Sequence, residues 1–159
     1  MPIISLVMVL LFLLIPKIDP LKENIQKFRK YFDRFIVLII LFLLYIYLLA
    51  IFWNLGKRFN MIYTMVPALA VLFYYIGIMV ENAKRNWFIG IRTPWTLSSE
   101  AVWDKTHKIG GKLFKIAALI TLFGIFFGKY AIFFTIVPVI LVAVYTFIYS
   151  YFEYQKEKL

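Results

Sequence analysis

"FIVLIILFLLYIYLLAIFWNL", residues 35–55, runs for 21 residues without one charged side chain. At about 1.5 Å of rise per residue such a run, wound as a helix, matches the roughly 30 Å hydrocarbon thickness of a bilayer. Its backbone polar groups are then satisfied within the helix, as lipid requires. Working outward, residues 61–80 and 130–152 are also free of charge. Residues 113–128 form a shorter apolar segment with Lys115 near its start, a side chain long enough to snorkel to the interface. Residues 3–15 form the shortest, closed by Pro16. The expected fold is all-α: a polytopic membrane bundle of about five transmembrane helices, spanning about 3–15, 35–55, 61–80, 113–128 and 130–152, in one membrane domain covering 1–159.

Composition agrees. The 159 residues are 64% hydrophobic and 16% charged, where a soluble domain carries about a quarter charged. There is no cysteine, so no disulfide framework and no thiolate chemistry. One histidine and eight acidic residues leave little for a metal, and neither metal nor cofactor is expected. The net charge of +10 is read as a topology signal with affinity for anionic lipid head groups, and not as nucleic-acid binding.

The topology signal is one-sided. Lys57, Arg58 and Lys129 lie on one side of the expected spans, and every other lysine and arginine lies on, or opens onto, the opposite side. Positive residues stay inside. This predicts an outside N-terminus, with the C-terminus and loops 16–34 and 81–112 cytoplasmic in a cell-membrane protein. In the first loop Asp19 and Pro20 read as N-cap and first helical residue. Leu21, Ile25, Phe28 and Phe32 then form an apolar stripe, so an amphipathic helix lying on the inner leaflet is expected. Ala117, Thr121, Gly124 and Gly128 make a small-residue face suited to close helix packing within the chain. No ionisable residue sits near the middle of a span, which argues against ion-coupled transport.

Loop 81–112 carries "RNWFIGIRTPWTLSSEAVWDKTHKIGG" at 85–111. Gly90 permits an unusual backbone. Thr93 before Pro94 is pushed to extended geometry, so "RTPWTLSS" reads as a turn. Ser98 or Ser99 can cap a short helix over 100–109, stopped by Gly110-Gly111. Trp103, Thr106, His107 and Gly110 share one face of it. With Arg92 and Trp95 across the turn, they could line a pocket for an anionic or aromatic ligand, or simply hold the loop's fold. No H-E-x-x-H, no G-x-S-x-G and no carboxylate pair is present, so no enzyme and no catalytic residue is expected.

The same residues resemble the signature of the SdpI family of small membrane proteins, roughly N-x-x-[IL]-G-[IL]-R-x-P-W-T-L followed by V-W-x-x-T-H-x-x-G. The chain matches at Asn86, Ile89, Gly90, Ile91, Arg92, Pro94, Trp95, Thr96, Leu97, Val102, Trp103, Thr106, His107 and Gly110. "IPKIDPLKENIQKF", 15–28, is similar to the family's first cytoplasmic loop. The resemblance implies an all-helical membrane protein giving immunity to, or sensing, a secreted membrane-active peptide toxin. It also implies signal transduction by recruiting a cytoplasmic regulator to the membrane. Longer members begin with a further span and an extracytoplasmic segment, so a short form is expected here. The alternative function is small-molecule or lipid binding and transport through the cytoplasmic-face Arg/His/Trp pocket.

Overall fold

A computed structural model describes residues 2–158, and within them the chain is helical with no strand. The elements in order are α1 (Pro2–Ile18), α2 (Lys22–Lys27), α3 (Arg29–Asn54), α4 (Met61–Asn82), α5 (Pro94–Ser98), α6 (Glu100–Phe123), a 3-10 turn (Gly124–Tyr130) and α7 (Ala131–Glu157). Three stretches are long and apolar enough to cross a membrane: α3, α4 and Glu100–Glu157. The last reverses direction at Gly128, whose φ of 53° breaks the helical path. It therefore supplies the antiparallel pair α6 and α7. The apolar part of α1, Ile3–Ile18, is shorter.

The packing follows membrane logic. Large residues face outward: Leu41, Val71, Leu119 and Leu141 are all more than half exposed. Small and hydroxyl residues face inward: Ala117, Ala118, Thr121, Thr135, Thr146 and Ser150 are buried. In lipid there is no gain from hiding leucine, so close backbone approach and hydrogen bonds decide what goes inside. The tightest approach is between α4 and α6, which run antiparallel. A Cβ on Gly77 would lie 2.7 Å from the Gly111 carbonyl oxygen, and one on Gly111 would lie 2.6 Å from that of Gly77. Tyrosine hydroxyls tie α3 to α4, from Tyr45 to the Thr64 carbonyl and from Tyr75 to the Tyr31 carbonyl.

Four expectations change. Gly110-Gly111 do not stop a helix: α6 runs through them, joining the short loop helix to the apolar segment that follows. Their missing side chains serve packing on two sides, Gly111 against α4 and Gly110 against Ile91 and Thr146. Second, Gly128 leaves the small-residue face. Ala117, Thr121 and Gly124 remain buried, and Thr121 and Gly124 meet Phe134 of α7, while Gly128 is the hinge of the turn.

Third, the apolar stripe of the first loop is covered by protein. Ile25, Phe28 and Phe32 are at most 1% exposed and pack with Ala83, Ile89 and Trp103 in the main core cluster. The helix breaks at Phe28, and Asp19 closes a turn on the Leu21 N–H instead of capping α2. Fourth, "PWTLS" is a one-turn helix. Thr93, extended as a residue before proline must be, caps it, with Pro94 at its start.

Candidate functional site

The basic end of the bundle is built around residues 84–99, which fold inward under α2. Asn86, fully buried, is the hub. Its amide nitrogen donates to the carbonyls of Lys84 (2.8 Å) and Ile89 (2.9 Å), and its amide oxygen accepts from the N–H groups of Phe88 (2.9 Å) and Ile89 (2.6 Å). One side chain thus replaces the backbone partners that an irregular segment lacks. The first loop clamps the turn from outside. The Asn24 amide donates to the Arg85 carbonyl, and the Asp19 carboxylate accepts from the Trp87 N–H.

Beneath the turn lie Trp103 and His107, one helical turn apart on α6. Their rings stack at 3.9 Å with 15° between planes. The Trp103 indole donates to the Ala83 carbonyl at the end of α4. The Ile91 N–H donates to His107 Nε2 at 2.9 Å, so Nε2 carries no proton. The proton is therefore on Nδ1, which donates to the Trp103 carbonyl at 2.9 Å. Gly90, at φ 112°, leaves the space that Nε2 occupies; a Cβ there would collide with it.

Downstream, Thr93 and Thr96 cap one another, and Thr96 Oγ1 donates to the Ile91 carbonyl. Thr93 Oγ1 meets Ser150 Oγ at 3.0 Å, tying the turn to α7. Trp95 lies edge-on between Phe147 and Tyr151 of α7.

The expected site residues therefore divide. Asn86, Gly90, Trp103 and His107 converge, but on one another and on backbone groups, with both imidazole nitrogens already bonded. Trp95 belongs to the α7 contact, and Pro94, exposed, opens α5. Arg92 is exposed and donates to the Trp87 carbonyl at 2.6 Å. Thr106 is fully buried with no hydrogen-bond partner for its hydroxyl. Among the described residues no group of three or more histidines or acids is placed to hold a metal. Asp19, Asn24, Thr96 and Ser150 complete the arrangement. Their contacts join residues up to 68 positions apart, which no local spacing reveals.

The first half of α6 exposes Glu100, Asp104, Lys105, Lys108 and Lys112, so it stands outside the hydrocarbon. Burial pushes the His107 pKa from 6.5 down to about 4, against the upward pulls of its bond to the Trp103 carbonyl and the nearby Asp104 charge. An opened loop would titrate near 6.5. The sign follows: the open state binds more protons between those values, so loop stability is complete above about 6.5 and falls as the pH drops toward 4. The slope is about 1.4 kcal/mol per pH unit. We expect purified protein to lose about 2 kcal/mol between pH 7 and pH 5. A His107→Gln variant should show a flatter profile in thermal unfolding; equal slopes would exclude His107 as the titrating group.

Comparison with known proteins bears on this same region. Residues 82–150 match the model of the SdpI/YfhL protein family, from the end of α4 through the inward-folded turn to α7. The chain is 31% identical over 121 residues to the immunity protein SdpI of Bacillus subtilis (strain 168), across 76% of its own length. It spans 58% of the length of that curated relative. No solved structure matches. The buried asparagine, the glycine set against the imidazole and the stacked Trp103–His107 pair all lie within the region that matches the SdpI/YfhL protein family.

Proposed function

We propose that this protein is a non-enzymatic membrane component that gives its cell immunity to, or senses, a membrane-active peptide toxin. The observation that supports the reading is the inward-folded signature turn, in which the Asn86 amide and both His107 ring nitrogens are bonded within the fold. In this reading the basic end, with loop 84–99 and the C-terminus, faces the cytoplasm, as the lysine and arginine asymmetry favours. The peptide is met at the other end or within the bilayer, and α6 carries the response. That helix is continuous from the His107 cluster to the turn at Gly124–Tyr130. A rigid tilt at one end therefore moves the other, provided the peptide binds the two states unequally.

The test is survival. Cells lacking the gene, and the same cells carrying it on a plasmid, are challenged with a panel of membrane-active peptides. The reading expects at least one peptide to kill the deletion strain at lower dose and the plasmid to restore resistance. Identical survival curves across the panel would remove it.

A further inference from the structure

Away from the loop, α3 stands off from α6 while α4 holds both, leaving an elongated groove of about 480 Å³ that opens sideways. Its floor is small, Ala70 of α4 and Ala118 of α6, both nearly fully buried. Its rim is apolar, with Leu41, Val71 and Leu119 more than half exposed. From Arg34 to Leu41 the α3 wall rises about 10 Å, at 1.5 Å per residue, within apolar helices. Water gains little in such a groove, and hydrocarbon fills it without cost.

One end differs. Arg34 lines the groove immediately before the charge-free run 35–55, where a spanning helix meets the head groups. It is exposed and has neither hydrogen bond nor ion pair among the described residues. Lys30, one helical turn earlier on the same face, is exposed as well. The nearest acid on that helix, Asp33, is engaged by Arg29 at 2.6 Å. Arg34 thus stands at the end of an apolar trough without a counter-ion, with the Lys30 charge one helical turn away. Guanidinium matches phosphate oxygens in a two-pronged geometry.

We propose that this groove is a binding site for one anionic phospholipid, its acyl chain lying between α3, α4 and α6 and its phosphate on Arg34. The site is separate from the signature loop and independent of the immunity reading. The test uses the whole protein in non-ionic detergent with equal amounts of phosphatidylglycerol and phosphatidylcholine of identical chains, read by native mass spectrometry.

Wild type should retain one phosphatidylglycerol in preference. Arg34→Gln should lower its retention about fivefold, the worth of one cation near an anionic head group. Val71→Trp, whose indole fills the trough, should lower it similarly with Arg34 intact. Arg58→Gln at the other end should change nothing. Both substituted residues are exposed, so circular dichroism should show wild-type helix content.

Equal retention of the two lipids, or wild-type retention by both groove variants, would overturn the proposal. So would loss with Arg34→Gln but not with Val71→Trp, or displacement by excess soluble glycerol phosphate, since either reduces the site to a bare anion contact. A dimer abolished by Val71→Trp would assign the groove to a second copy of the chain, and overturn it too.

Discussion

Gly111→Ala lowers the stability of this protein by about 2 kcal/mol, the usual scale of forced overpacking. This is the expected result although alanine is the better helix former by about 1 kcal/mol. The two effects have opposite signs, which makes the substitution informative. In an unpacked helix the propensity term would win and the variant would be stabilised. Here the new Cβ would sit 2.6 Å from the Gly77 carbonyl oxygen, 2.6 Å from the Glu81 Cβ and 2.9 Å from the Glu81 nitrogen. Most of those atoms are helix backbone and cannot swing away.

The two helices must then separate along the contact that also carries the Glu81–Lys115 ion pair. The indole bond from Trp103 to the Ala83 carbonyl spans the same crossing. For a chain of this size the loss corresponds to a fall of about 4–8 °C in the midpoint of thermal unfolding in detergent. Gly111→Leu should yield no folded protein. A Gly111→Ala variant as stable as wild type would mean that α4 and α6 do not cross here.

The same glycine shows where the sequence is legible and where it is not. Charge-free runs located α3, α4 and α7 because a bilayer leaves a helix no alternative to a long apolar surface. Within α6, spacing also placed Trp103, Thr106, His107 and Gly110 on one face, and all four are buried. Gly110-Gly111, however, reads locally as a stop, since two glycines cost helix stability. Their compensation comes from Gly77, 34 positions from Gly111, and from Ile91 and Thr146 around Gly110, and no local pattern contains it.

The stripe Ile25, Phe28 and Phe32 fails for a related reason. Amphipathicity reports that a face will be covered, not by what, and here the cover is protein instead of lipid. Asp19 reads as a helix cap because aspartate often is one. Its partner at Trp87 is a tertiary fact, visible only once the two loops are brought together.

That tertiary junction hangs on Asn86, and its replacement should open the loop while leaving the helices intact. Asn86→Ala strips four backbone groups of their partner. Of these, both groups of Ile89 are bonded in the buried interior. At about 1–3 kcal/mol for each buried group left unsatisfied, the loop loses roughly 3–5 kcal/mol. The sharper variant is Asn86→Asp, nearly the same shape. Its carboxylate can still accept from the Phe88 and Ile89 N–H groups. Its second oxygen, though, replaces an amide that donates at 2.8 and 2.9 Å to two carbonyl oxygens, and would face both with no proton to share. A charge at a site with 0% exposure adds its own desolvation cost.

If hydrogen bonding and not volume holds the turn, Asp should be as damaging as Ala. Limited trypsin digestion reports this directly, because Arg85 and Arg92 flank the hub. Wild type should resist cleavage at both. The two variants should be cut there many times faster, with helix content by circular dichroism nearly unchanged, since α3, α4 and α7 owe nothing to Asn86. An Asp variant as resistant as wild type would show that shape alone suffices. Global loss of helix in either variant would show that the turn and the bundle fold as one unit.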